Sequence, residues 1–503
     1  MFPVKNLSFP VILSIGLSLS FWIANITCAA ANLDGGKTPQ RSPLVCLAVP
    51  SQNEPQRLKP GDSTDRELAG GGQDSYQLEL PAHQFVQVVV EQLGIDVVLA
   101  ISRTNGSELI RVDRPNSTRG RETISMITSA AGSYRLDVSS LESVTARGQY
   151  HLHLNQLRHP LGEDATWIAA EQTVSEGERL RSQSSADSFR KAIEKFNEAE
   201  ELWRLLKQPY EQAVALYGSG ISCTSLSDNQ EAIEYLSRAL TLFDHDTHGE
   251  AITRGAMGWP YMYLGDYDKA LDTFSQSFQL YHSEENVRGE GITLYGIGWV
   301  HALRGDDQEA LANFSASLKR RRDAKDRRGE AITLAGIGKI EARRGNYNQA
   351  LNSLKQAQNV LGGRDRYAEA DILSNLGWIY NALEDERSAL DHFQRALPLR
   401  QQAGDRIGEA TTIFGISTTQ RHFGHWQEAL TAIESAVNII ESLRARGSNQ
   451  QLRISYFSSI QDYYDFYIRL LMYLHRLNPS AGYASKALYA SERARARGLI
   501  DLL

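Results

Sequence analysis

Apolar positions in the C-terminal two thirds of the chain follow a helical spacing that recurs about every forty residues. Ala192, Ala232, Ala270, Ala310, Ala350, Ala389 and Ala429 fall at intervals of 40, 38, 40, 40, 39 and 40. Four residues after each stands a bulky apolar residue: Phe196, Leu236, Phe274, Phe314, Leu354, Phe393 and Ile433. A small residue one turn before a large one marks the face of a helix packed against a neighbour. Twelve residues upstream recur Gly220, Gly258, Gly298, Gly338 and Gly377, with Ser417 in the last unit. A helical Gly costs about 1 kcal/mol relative to Ala, so five in phase predict a close helix crossing. Between the two marks lie Gly265-Asp266, Gly305-Asp306, Gly345-Asn346 and Gly424-His425. There Gly can end one helix in left-handed geometry and Asp or Asn can cap the next. The pattern predicts about seven units of helix, tight turn and helix over 165–445. Glu211, Glu250, Glu290, Glu330, Glu369 and Glu409 fall in the first turn of successive units, where a carboxylate suits the helix dipole.

Upstream the period changes to that of strands. Short β-rich runs occupy Ser75–Leu80, Phe85–Gln92, Asp96–Ser102, Glu108–Val112, Thr123–Thr128, Gly132–Val138 and Gly148–Leu154, separated by turn clusters. Several short strands at this spacing predict a sandwich over 61–156. Asn105-Gly106 reads as a two-residue hairpin turn in which both residues adopt positive φ. Residues 31–60, rich in Gly, Pro, Ser, Gln and Asn, read as a flexible lead-in.

The first thirty residues carry a different order. Lys5, an apolar run from Leu7 to Ile26, and then Thr27, Cys28, Ala29, Ala30 and Ala31 give the basic flank, apolar centre and small-residue site of an export signal. The expected location is therefore periplasmic or extracellular, with no integral membrane domain after cleavage.

Composition narrows the function. A length of 503 residues exceeds one hydrophobic core, as a repeat array requires. A net charge of -7 offers no basic field for a phosphate backbone, so no nucleic-acid partner is expected. The three cysteines, Cys28, Cys46 and Cys223, form no Cys-x-x-Cys, and His is scattered, so neither a metal site nor a cofactor is expected. Cys46 and Cys223 read as unpaired thiols. Asp74 and Asp96 at strand ends read as turn or capping residues rather than calcium ligands.

Small at position 8, Ala at 20, large apolar at 24 and small at 27 (Ala199, Ser277, Ser317, Ala396) resembles the tetratricopeptide repeat in its forty-residue form. The fold class expected is mainly α, a tetratricopeptide-type α-solenoid superhelix preceded by a small all-β jelly-roll or sandwich domain. In that family positions 5, 9 and 12 of the first helices line a concave groove. The resemblance assigns Tyr217, Trp259, Tyr295, Trp299, Lys339, Trp378 and Phe414 as groove candidates for a protein or peptide ligand. Aromatic rings on an exposed wall suit a binding hot spot; the same rings packed between hairpins are core. Lys339, with Arg343, Arg344 and the run Lys319 to Arg322, reads as a candidate site for an acidic group.

Two further resemblances flank the array. Leu58-Lys59-Pro60-Gly61, Asp74-Ser75-Tyr76, Gly94 to Val98, Gly132 to Leu136 and Gly148-Gln149-Tyr150 resemble the bacterial pre-peptidase C-terminal type of jelly-roll, an accessory module. Ser491 to Leu503, in the helical segment 449–503, resembles the linker that leads from such arrays into the caspase-like CHAT domain. In that family a His and Cys dyad follows the linker, whereas Cys46 and Cys223 stand in no comparable context. The resemblance thus implies an interaction scaffold with no catalytic residues of its own. Its alternative is the regulatory part of a CHAT peptidase whose catalytic domain is missing or separately encoded, and which docks on the apolar face of Leu488, Leu499, Ile500, Leu502 and Leu503.

Overall fold

The seven β-rich runs and two further segments form nine strands in the computed structural model, which describes residues 56–115, 118–140, 147–363, 365–446 and 450–500. They are β1 (Gln56–Leu58), β2 (Ser63–Ala69), β3 (Gln73–Leu80), β4 (Phe85–Leu93), β5 (Val98–Arg103), β6 (Glu108–Val112), β7 (Arg119–Ile127), β8 (Gly132–Ser139) and β9 (Arg147–Arg158). A five-stranded sheet ordered β1-β3-β8-β5-β6 faces a four-stranded sheet ordered β2-β9-β4-β7. Alternate residues of both sheets, among them Leu78, Val88, Leu99, Ile124, Leu136 and Leu152, make one apolar core.

Two strands were not legible in the pattern. β2 buries little beyond Leu68, so no period-two signal marks it. β1 falls in the segment read as a flexible lead-in, where it pairs parallel with β3, Gln56 opposite Tyr76. The hairpin at Asn105 also differs from expectation. Gly106 has φ +85° while Asn105 stays out of the left-handed region. The Gly106 amide donates to the Arg103 carbonyl and the Arg103 amide to the Ser107 carbonyl, both at 2.9 Å. The result is a three-residue loop closed by a glycine bulge.

Sixteen α-helices follow among the described residues. They are α1 (Asp164–Ser182), α2 (Ala186–Leu205), α3 (Pro209–Leu226), α4 (Asn229–Leu242), α5 (Thr247–Tyr263), α6 (Tyr267–Ser283), α7 (Val287–Arg304), α8 (Asp307–Asp323), α9 (Arg327–Arg343), α10 (Tyr347–Leu361), α11 (Arg366–Ala382), α12 (Glu386–Gln402), α13 (Arg406–His422), α14 (Trp426–Arg446), α15 (Gln450–Leu477) and α16 (Tyr483–Ile500). The fold class is mainly α, a tetratricopeptide-like solenoid with a small all-β domain before it. Packing divides the described chain within α5: residues 56–257, sandwich included, belong to one compact unit, and those from Gly258 to another. None of the helices is long and apolar enough to cross a membrane, among the described residues. The segment read as an export signal lies outside them.

Each of the seven phased alanines is buried in the second helix of its hairpin, and so is the bulky residue four positions on. The recurrent glycines explain the crossing. A Cβ on Gly220, Gly298, Gly338 or Gly377 would stand 2.6 to 2.8 Å from the side chain of Leu236, Phe314, Leu354 or Phe393. Phe274 is held from both sides, since a Cβ on Gly258 of its own hairpin or on Gly296 of the next would come within 2.5 Å of its ring. Gly265, Gly305, Gly345 and Gly424 all have positive φ. Of the residues after the first three, Asp266 caps its helix through the Lys269 amide, whereas Asp306 and Asn346 make no such bond.

A second cap series was not seen in the sequence. Asp246, Asn286, Asp326 and Asp405 each accept from an amide three residues on, that of Gly249, Gly289, Gly329 or Gly408. Glycine is required there because the space above it is filled from the preceding helix by Phe243, Tyr281, Arg321 or Arg400. The phased glutamates do stand in the first turns. They also reach other helices, as Glu290 does to Arg320 at 2.7 Å and Glu330 to Arg322 at 2.7 Å.

Candidate functional site

The groove candidates between Gly258 and the C-terminus are not spaced along an open wall; they pack into rows that run from one first helix to the next. The Trp259 ring is 5.2 Å from Phe274 and 6.3 Å from Tyr295. Tyr295 lies 6.0 Å from Trp299 and 5.4 Å from Phe314, and Trp299 lies 5.2 Å from Phe314. The Lys339 ammonium is 6.0 Å from the Trp299 ring. A second row joins Trp378 to Phe393 at 5.3 Å and to Phe414 at 5.7 Å, and stacks Phe414 on Tyr463 at 4.5 Å.

These contacts correct the expected exposure. Trp299 is 1% exposed, and Trp259, Tyr295, Lys339 and Phe414 are buried as well. A ring at position 9 meets the bulky residue at position 24 of its own hairpin. Where the following first helix brings Tyr295 or Phe414 at position 5, that ring closes the other side. Trp378 keeps part of its surface in solvent, as does Tyr217 of the other unit. The Tyr217 hydroxyl is pushed up to about 12 by burial.

Lys339 is not free to receive an anion either. Its ammonium stands 2.9 Å from Asp371 Oδ2, and Arg400 reaches Oδ1 of the same carboxylate at 3.1 Å. Burial alone would raise the Asp371 carboxyl, but Lys339 and Arg400 outweigh it and hold it below the ordinary range. The neighbouring basic residues are likewise neutralised within the fold. Arg320 pairs with Glu290, Arg321 with Asp326, Arg322 with Glu330, Arg343 with Asp307 and Arg344 with Glu341.

A buried cluster where the sandwich meets the first hairpins has no counterpart in the sequence pattern. Arg114, in the loop after β6, lies 3.7 Å from Glu171 of α1 and 2.5 Å from Glu211 of α3. Glu171 also accepts from Trp167 Nε1 at 2.8 Å and from Ser125 Oγ of β7 at 3.1 Å. Asp113 donates its backbone amide to Ser175 Oγ, and on α1 Glu178 pairs with Arg181. A cleft of about 770 Å³ opens nearby on the outer face of the four-stranded sheet. Asp65, Glu91, Arg121 and His151 line it from the strands, and Tyr210 and Asp246 from the helical side. Its polar side chains pair across strands, His151 Nδ1 with Asp65 Oδ1 at 2.8 Å and Arg121 with Glu91 at 3.6 Å.

Cys223 is buried and in no disulfide, its thiol pushed up by burial; Cys28 and Cys46 lie outside the described residues. Asp74 accepts from the Tyr150 hydroxyl at 2.7 Å. No group of three or more metal-binding side chains occurs among the described residues.

A family profile described as Tetratricopeptide repeat matches residues 250–323, 290–361 and 329–402 in overlapping registers. No curated protein matches the chain. Similar solved structures include a Rap protein complexed with competence and sporulation factor, with 13% identity over 67% of this chain and 89% of that one and a TM-score of 0.47. The apo quorum sensor NprR from B. thuringiensis has 17% identity over 66% and 89%, with a TM-score of 0.48. Yeast Tom70 has 16% identity over 66% and 65%, with a TM-score of 0.41. Tetratricopeptide repeats are thus present in this chain, at residues 250–402.

Proposed function

We propose that this chain is an exported interaction scaffold that binds a polypeptide along the first helices of its repeats. The observation that carries this reading is the pair of packed rows, Trp259 to Lys339 and Trp378 to Tyr463. They fix successive first helices rigidly against one another, so that the half-exposed residues beside them, Trp378 foremost, form a surface that pays little ordering entropy on binding. Repeat arrays of this kind use extended surfaces rather than a single pocket. Export rests on the order of residues around Lys5 to Ala31.

A randomised peptide display library panned on the purified chain, followed by hydrogen exchange with the enriched peptide bound, tests the reading. Protection gathered on α9, α11 and α13 supports it. Protection confined to the sandwich, or a library that yields no enriched peptide, overturns it.

A second reading, the regulatory part of a CHAT-type peptidase, draws on α16. Leu488 and Tyr489 are 64% and 67% exposed there, a large apolar surface on the last described helix. A separately encoded catalytic chain that co-purifies through α16, and is lost in Leu488→Asp, would favour it.

A further inference from the structure

Exposed apolar side chains gather at one place among the helices. From α1 to α14 the large apolar residues that stand out into solvent among the described side chains are Leu205, Leu383 and Phe423, far apart in sequence. Met472, Leu477, Leu488 and Tyr489 stand out likewise on α15 and α16 alone. On α16 the inward side is small and packed, with Ala487 and Ala490 in the core. Leu488 and Tyr489 take the outward side with Ser485, Glu492 and Arg495.

The charge around that pair departs from the rest of the chain. Along α16 Lys486, Arg493, Arg495 and Arg497 stand against one acid, Glu492. Residues 451–503 hold seven Lys or Arg and four Asp or Glu, in a chain whose net charge is -7. These cations are held loosely. Lys486 is 3.8 Å from Glu434, Arg493 is 3.6 Å from Glu441 and Arg495 is 3.9 Å from Glu492, all longer than a hydrogen bond. The pairs of Arg320, Arg321 and Arg322 on α8, by contrast, close to 2.7, 2.5 and 2.7 Å.

An apolar pair ringed by cations selects among the surfaces that could cover it. A second copy of this chain would bring its own α16 cations against the first, and like charges on facing surfaces oppose that pairing. A bilayer with anionic lipid offers phosphates to Lys and Arg and, just beneath them, an acyl boundary to Leu and Tyr.

We propose that the outward side of α16 docks on an anionic lipid surface, with Leu488 and Tyr489 entering the headgroup layer and Lys486, Arg493 and Arg495 meeting its phosphates. The alkyl stems of the three cations cover the apolar pair while their heads stay at the phosphates. Because Ala487 and Ala490 remain in the core, the helix rests on the bilayer without leaving the fold. Peptide binding along the first helices does not depend on this contact, nor this contact on it.

Flotation of the full chain with phosphatidylglycerol or phosphatidylcholine vesicles at low salt, with amide exchange of α16 followed alongside, tests the proposal. Retention should be about tenfold stronger on phosphatidylglycerol, should fall as salt is raised, and should slow exchange along α16. The apolar run from Leu7 to Ile26 is common to every variant, so the lipid difference between parent and variant is what is read. Leu488→Ser with Tyr489→Ser, and separately Lys486→Gln with Arg495→Gln, should each remove most of that difference and leave the thermal midpoint unchanged, since all four side chains are exposed. Equal retention on the two lipids, a lipid difference that survives both double variants, or protection that spares α16 overturns the proposal. So does a chain without lipid preference that runs as a dimer in sizing chromatography and becomes a monomer in Leu488→Ser with Tyr489→Ser, because a second copy then covers the face.

Discussion

The acid-rich cluster under the sandwich makes the unit that ends at Met257 sensitive to alkali. Five carboxyl groups, Asp113, Glu122, Glu171, Glu178 and Glu211, share that region with two guanidinium groups, Arg114 and Arg181. Burial, and then Glu178, push the Asp113 carboxyl up to about 8 against the pull of Arg181 and Arg111. Burial, reinforced by Glu211, pushes Glu171 up to about 7, although Arg114, Trp167 and Ser125 oppose it. Both values lie above those of an unfolded chain, so the fold holds protons that the unfolded chain releases. The stabilising contribution is complete below about pH 4 and is lost as pH rises through about 7 for Glu171 and 8 for Asp113. Within that window each group tilts the unfolding free energy by about 1.4 kcal/mol per pH unit, an upper bound once relaxation and water entry are allowed. Asp113→Asn keeps the shape and removes the titration. At about pH 8 the variant should be more stable than the parent by a few kcal/mol, and it should lose the steeper part of the slope. Amide exchange of β7 and α1, corrected for intrinsic rates across pH 5.5 to 8.5, reads this locally. A variant less stable than the parent at pH 8, or one with an unchanged slope, refutes the reasoning.

The other unit responds in the opposite direction and gives sharper tests of packing. Asp326 is held at about 2, because Arg288 and Arg321 with the Gly329 amide outweigh its burial. Its contribution is present above about pH 4 and is lost as pH falls through 2, so Asp326→Asn should cost about 2 kcal/mol or more at neutral pH by denaturant melts and flatten the acid limb. Phe314→Ala should cost about 3–5 kcal/mol in the same melts, and a loss under about 1 kcal/mol would show the repeat register to be wrong. Trp299→Ala should cost as much as Phe314→Ala, since the ring is as fully buried; an intact melt would return this residue to the surface.

The helical register was legible because it rests on volume. Ala at position 20, a bulky residue at 24 and Gly at 8 are recorded one residue at a time, and each is found buried in its place. The caps were half legible. Gly-Asp at the turn within the hairpin was seen, but Asp326 with Gly329, and Asp405 with Gly408, became intelligible only when Arg321 and Arg400 were found lying over those glycines. Strand β2 left no trace because its side chains mostly face solvent. The Arg114 cluster joins residues as far apart as Arg114 and Glu211, and no spacing rule connects them.

The tryptophans illustrate the limit most plainly. A ring at position 9 is groove or core according to what the next first helix places beside it, which lies about forty residues further along. Trp259 has Tyr295 beside it, and Trp378 has Phe414. Trp299 has Tyr295, Phe314 and the Lys339 ammonium beside it, and Lys339 stays buried because Asp371 neutralises it. Each closure but that of Trp378, which keeps part of its surface in solvent, removes a candidate from the surface, and the charges are closed by the same logic, guanidinium by guanidinium, along α8, α9 and α12. Over Arg421 the packing helix supplies an aromatic face and a second arginine, where the earlier cations are met by a carboxylate.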